Sequence, residues 1–133
     1  MDNHNFSLEL CVRDYECDVQ GIVNNAVYQN YLEHTRHVYL KSKGIDFVDL
    51  ALKGINLVVT RAEIDYKYPL KSGDEFIVTA KIVKESPLRF AFYQNIYRKT
   101  DNKLIVKAKI TGTSINKNGR PVVFNELKAL TDD

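Results

Sequence analysis

The sequence predicts a single α+β domain, residues 1–133, in which one long helix is wrapped by a five-stranded antiparallel sheet. Three observations carry this. Five segments show apolar residues at every second position, the period of a half-buried strand. One segment instead repeats at three- and four-residue steps, the period of a helix. The lengths also agree: a twenty-residue helix spans about 30 Å, and an eleven-residue strand about 36 Å. One sheet can therefore cover one helix along its whole length, which is an economical way to bury both.

The first strand runs from Phe6 to Val12, where Phe6, Leu8, Leu10 and Val12 alternate with other residues. Asp14 to Gly21 breaks the alternation and reads as a loop. From Asn24 to Lys43 the period lengthens. Val27, Tyr28, Tyr31, Leu32, Thr35, Val38 and Tyr39 form an apolar stripe on one helix. Asn24 or Asn25 can cap its start, and Gly44 suits the left-handed position past its end. A short second helix is expected between Asp46 and Gly54.

Strands follow. Ala62, Ile64, Tyr66 and Tyr68 alternate with Arg61, Glu63, Asp65 and Lys67 until Pro69. After a turn at Lys71 to Asp74, the next strand carries Phe76, Val78, Ala80 and Ile82. Ser86-Pro87 turns the chain into a strand from Leu88 to Tyr97, and Thr100-Asp101-Asn102 turns it into another from Leu104 to Ile115. These four strands are expected to form a meander in chain order. Asn116 to Pro121 is a further turn, and Val122 to Phe124 is expected as a short tail strand. A sheet of this kind leaves an edge open, and pairing it with a second copy removes that liability.

Composition narrows the function. Hydrophobic residues make up 44% and charged residues 27%, so the chain can fill a core. The net charge of +2, on scattered lysines, argues against a nucleic-acid binder. No apolar run reaches the ~20 residues of a membrane span. Met1 to Phe6 lacks the apolar stretch of a secretory signal, so a cytoplasmic protein is expected. Cys11 and Cys17 read as reduced thiols, without zinc-site spacing.

The stretch from Glu16 to Asn25 is the most informative, because it sets Asp18 and Gly21 just ahead of a helix start. Free N–H groups in the first helical turn carry about half a positive charge and can stabilise an oxyanion. Gly21 leaves room for a ligand to approach the backbone. A carboxylate beside the same spot can act as base or nucleophile on a carbonyl. On residue type and position alone, an ordinary capping aspartate is the commoner occupant of such a place.

Other residues invite bland readings. Cys17 has no evident base and reads as inert. His34 and His37 lie outside the apolar stripe and, without further ligands, read as a solvated face rather than a metal site. Glu33 and Arg36, three apart, read as an intrahelical ion pair. Tyr28 and Tyr31 on the stripe suit a core, and Lys84 and Arg89 suit solvent.

The run from Asp18 through Gly21, Asn24, Asn25 and Tyr28 to Tyr31, Glu33 and Arg36 resembles the signature of the 4-hydroxybenzoyl-CoA thioesterase-like and acyl-CoA thioester hydrolase families. Ile64-Asp65-Tyr66, Pro69-Leu70, Gly73-Asp74 and Gly119-Arg120-Pro121-Val122 extend the resemblance along nearly the whole chain in order. The resemblance implies a hotdog fold, a homodimer or homotetramer, and hydrolysis of a small-molecule acyl-CoA substrate without metal or other cofactor. It implies Asp18 as the catalytic carboxylate, Asn25 as the amide polarising the thioester carbonyl, and a site at the dimer interface. Gly21 and Tyr28 would line the acyl group. Val59, Thr60 and Arg61 would pack against the partner's site, and Lys84 and Arg89 would meet the CoA phosphates. Two rival readings share the fold: a dehydratase or hydratase on carrier-protein substrates, and a non-catalytic module binding acyl-CoA or an acyl carrier protein.

Overall fold

The computed structural model describes residues 6–123 and 125–131. Strand β1 (Phe6–Cys11) is followed by a 3-10 turn (Asp14–Glu16), helix α1 (Asn25–Ser42) and helix α2 (Phe47–Leu52). Then come β2 (Asn56–Tyr66), β3 (Glu75–Ser86), β4 (Arg89–Arg98), β5 (Leu104–Ile115) and helix α3 (Asn125–Thr131). Among the described residues no helix is long and apolar enough to cross a membrane.

Helix α1 starts where Asn24 stands. Its side chain accepts the Ala26 N–H at 3.0 Å, which satisfies one of the helix's free donors. The expected stripe is the buried face: Tyr28, Tyr31, Leu32, Thr35 and Tyr39 are buried, joined by Leu40. Gly44 has φ +81, as a residue closing a helix in the left-handed region should. Asp46 caps α2 by accepting the Val48 N–H at 2.8 Å.

The sheet order is β1-β3-β4-β5-β2, with every neighbour antiparallel. The expected four-stranded meander is therefore corrected: only β3, β4 and β5 follow one another. β2 pairs with β5 along its length, from Asn56 opposite Ile115 to Tyr66 opposite Val106. The connection 67–74 crosses from that edge to the other half of the sheet, past the start of α1. Leu70 anchors it there, fully buried. The Val23 N–H donates to its carbonyl at 2.9 Å, and its own N–H donates to the Tyr28 hydroxyl at 2.9 Å. Period-two patterning fixes which face a residue takes but not which strand lies beside it.

The core lies between α1 and the inner face of the sheet, with Phe76, Val78, Ile82, Phe92, Ile96 and Ile110 beneath the helix. Helix α1 packs toward β3 and β1. A groove is thereby left on the β2 side.

The tail differs from expectation. Val122 and Val123 are in no strand, although the Val122 N–H donates to the Ser114 carbonyl at 2.8 Å. Phe124 lies outside the described residues. Helix α3, unforeseen in the sequence, buries Leu127 and Leu130 and packs against β3. Three-residue spacing of those leucines was the available signal.

Candidate active site

Cys17 and Val23 form a β-bridge, and the segment between them is a tight hairpin. The Asp18 N–H donates to the Ile22 carbonyl at 2.9 Å, and the Gly21 N–H returns to the Asp18 carbonyl at 3.0 Å. The Asp18 carboxylate accepts the Gln20 N–H through Oδ1 at 2.8 Å, an Asx turn that fixes the side chain. Gly21 sits at φ +79, and a Cβ added there would meet nothing within 4 Å in this chain. The glycine is therefore required by the turn's backbone rather than by crowding.

Glu16 ties this hairpin to α1. Its carbonyl accepts the Asn24 N–H at 3.1 Å. Its Oε1 accepts both the Arg13 N–H and the Tyr31 hydroxyl at 2.8 Å. Buried Val23 completes the anchor. Asp18 itself stays exposed, a few residues ahead of the helix N-terminus. Asn25, the first helical residue, is also exposed, and among the described residues its side-chain amide has no hydrogen-bond partner. A carboxylate with one oxygen uncommitted, a free amide and the positive end of a helix thus share one end of the molecule.

Proton affinities near the hairpin follow from burial and charge. Burial, then the carboxylates of Asp14, Asp18 and Glu16, push the Cys17 thiol up. It stays protonated and is a poor nucleophile. Burial and the bond to Glu16 push the Tyr31 hydroxyl well above the usual phenol range, so it remains a donor. Cys11 and Cys17 are both free.

Tyr28 is buried at 3% exposure. Its ring meets Tyr31 edge-on at 6.1 Å and Tyr66 at 5.7 Å. Burial raises its hydroxyl, which the Leu70 N–H partly offsets. In one chain it pins the 67–74 connection. Tyr28→Phe strands the Leu70 N–H and is expected to cost about 1–2 kcal/mol in denaturant unfolding. An unchanged midpoint would contradict that role.

Val59, Thr60 and Arg61 lie on β2 at a β-bulge. Val59 pairs with Gly112 and Arg61 with Thr111, leaving Thr60 as the extra residue. The Thr60 hydroxyl reaches the Thr111 carbonyl at 3.3 Å. Val59 borders the open groove between α1 and β2, which also meets Glu33, Arg36, His37, Phe47, Leu57 and Phe92. A neighbouring stretch continues it past Asn30 and Ala62.

The expected Glu33–Arg36 ion pair does not form among the described residues. Arg36 turns inward instead, and its Nη1 donates to Gln94 Oε1 at 3.1 Å. Gln94, overlooked in the sequence, is 1% exposed and donates its Nε2–H to the Leu32 carbonyl at 3.2 Å. It occupies an inward position of the β4 alternation, where a polar residue stands out. His34 and His37 are exposed. Among the described residues no group of three or more His, Cys, Asp or Glu could hold a metal ion.

Lys84 and Arg89 flank the β3–β4 turn and are exposed. β3 begins beside the Asp18 end, where the Val12 N–H bonds the Asp74 carbonyl. At ~3.3 Å per residue, Lys84 lies about 30 Å along that strand. One chain therefore keeps Asp18 and Asn25 at one end and Lys84 and Arg89 at the other, and Val59–Arg61 lies level with the latter, Val59 sharing a row with Gly112, Phe90 and Lys84.

A model of the thioesterase-like superfamily matches residues 12–129. The acyl-acyl carrier protein thioesterase ATL3, chloroplastic, of Arabidopsis thaliana is 40% identical over 115 residues, 86% of this chain and 60% of that protein. The chain thus spans about three fifths of the length of that relative. A putative esterase of Aquifex aeolicus is 32% identical over 111 residues, 84% of each chain. Among solved structures, Slr0204, a 1,4-dihydroxy-2-naphthoyl-CoA thioesterase from Synechocystis, aligns with a TM-score of 0.90 over 96% of both chains at 21% identity, a likeness of fold.

Proposed function

Because the chain belongs to the thioesterase-like superfamily and has the hotdog fold, we propose that it hydrolyses an acyl-CoA thioester to a carboxylic acid and free CoA. The observation that carries this reading is the Asp18 turn, which presents an exposed carboxylate ahead of the α1 N-terminus. The thioester carbonyl would rest against the Asn25 amide and the first N–H groups of α1, where its oxygen gains negative charge in the transition state. Asp18 has two routes. As a base it takes a proton from water, whose oxygen bonds the carbonyl carbon as the C–S bond breaks. As a nucleophile it bonds that carbon itself, and water then cleaves the mixed anhydride. In both, the CoA thiolate leaves and gains a proton.

The site is proposed to be shared between two copies. β2 is an eleven-residue edge strand with Val59 54% exposed and its outer side unpaired in one chain. Antiparallel pairing of two such edges about a two-fold axis sets the Asp18 end of one copy beside the other's Val59–Arg61 and β3–β4 turn. That supports Lys84 and Arg89 as contacts for CoA phosphates held by the partner's site. Changing both to alanine is expected to raise KM more than it lowers kcat, with a smaller effect at high salt. An unchanged KM would place the nucleotide elsewhere.

A specific observation favours a second carrier: the plant relative is named an acyl-acyl carrier protein thioesterase. The test is therefore thiol release over acyl-CoA and acyl-carrier-protein panels, with sedimentation at micromolar concentration. Turnover by a dimer or tetramer is expected. No release on either carrier would remove the enzymatic reading, and an active, stable monomer would remove the shared site.

A further inference from the structure

We infer that the groove between α1 and β2 selects acyl groups ending in a carboxylate, which the Arg36 guanidinium binds; this rests on the thioesterase reading and specifies its substrate class. Arg36 leaves α1 and lies half-buried over the sheet, its guanidinium carbon 5.9 Å from the Phe92 ring centre. Gln94 fixes it there. Because the other end of that amide is held by the Leu32 carbonyl, Gln94 cannot follow the guanidinium out toward solvent.

The charge has no counterion among the described residues. Burial lowers its proton affinity, and Glu33, a turn earlier, partly offsets that without reaching ion-pair distance. An arginine stays charged even so, and a charge partly withdrawn from water without a partner is unfavourable. Among the described residues one acceptor, Gln94, is supplied to a fork of five donors. Much of the surrounding wall is apolar, from Phe47, Leu57, Phe90, Phe92 and Ile110, with the His37 ring tilted against Phe47 beside them. Methylenes fit those walls and a terminal carboxylate fits the fork bidentately, whereas a plain alkyl chain of the same length would set its end against an uncompensated charge. Glu33 borders the same cleft and opposes an anion there, so it limits the preference.

The experiment compares kcat/KM for chain-matched pairs, succinyl- with butyryl-CoA, adipoyl- with hexanoyl-CoA and suberoyl- with octanoyl-CoA, on the intact protein. At the best length the carboxylated member is expected to win by about ten- to a hundredfold. Arg36→Met should abolish that ratio, Arg36→Lys should keep part of it, and Glu33→Gln should enlarge it. Turnover without a preference at any length, or a ratio unchanged in Arg36→Met, overturns the inference and leaves the thioesterase reading intact. Absence of turnover defeats that reading alone, because the same pairs made as uncleavable thioethers report the preference by calorimetric binding. Equal affinities there overturn the inference. Should Arg36→Met fail to fold, the Arg36→Lys and Glu33→Gln ratios decide, and no change in either overturns it.

Discussion

Asp18→Asn is expected to lower kcat for the best acyl thioester by about a hundred- to ten-thousand-fold, the usual cost of losing a general base. The geometry makes this substitution clean. Asparagine retains Oδ1, so it can still accept the Gln20 N–H that holds the turn. The side chain is exposed, so no buried group is stranded. Basicity is the one property removed. Thermal unfolding should accordingly move little. Were Asp18 only a turn residue, turnover would persist, because asparagine fills that place equally well. A variant that keeps its kcat would end the catalytic assignment.

Gly112→Ala is expected to be the most damaging single methyl in the sheet. Gly112 sits on β5 opposite Val59, at the bulge. A Cβ there would lie 2.8 Å from the Val58 carbonyl oxygen and 3.0 Å from the Phe90 ring. Ring and strand are both packed, and a backbone carbonyl cannot rotate away as a flexible side chain can. Overpacking of this kind costs about 2–3 kcal/mol, or roughly 7–11 °C of melting temperature for a chain of this size. The methyl would also push Phe90, a wall of the groove, so loss of activity should accompany the lower melting point. A variant melting within a degree of the parent would mean that the bulge adjusts freely.

Helix α1 and strands β3, β4 and β5 were legible because each has buried positions on one face, and burial writes its period into the sequence. Tyr28, Tyr31, Leu32, Thr35 and Tyr39 are the buried face of α1. The neighbours of β2 were not legible. Its Ile64 and Tyr66 alternate in the same way whether β3 or β5 lies alongside, and the deciding contacts belong to Leu70 in a loop. Arg36 misled for a related reason. A partner three residues away is visible in sequence, whereas Gln94 is brought near only by the closed sheet. The Asp18 turn was readable in outline, from a glycine and a carboxylate ahead of a cap. The part played by Glu16, which joins Arg13, Asn24 and Tyr31, depends on side-chain reach that no spacing encodes.

The out-of-order sheet also has a kinetic consequence. β3, β4 and β5 are joined by short turns and can zip from local contacts, while β2 must wait for β5, where its partners lie about forty to sixty residues further along the chain. Closing such a loop costs entropy before any pairing repays it, so folding is expected to be slow for a chain of this size. Leu70, which latches Val23 and Tyr28, belongs to the connection that can settle only after β2 has docked. The Asp18 hairpin should therefore gain protection from amide exchange late in refolding, after the β3–β5 meander. Catalytic competence would then arrive with the final step of folding, and early intermediates would expose a sheet edge without a working site.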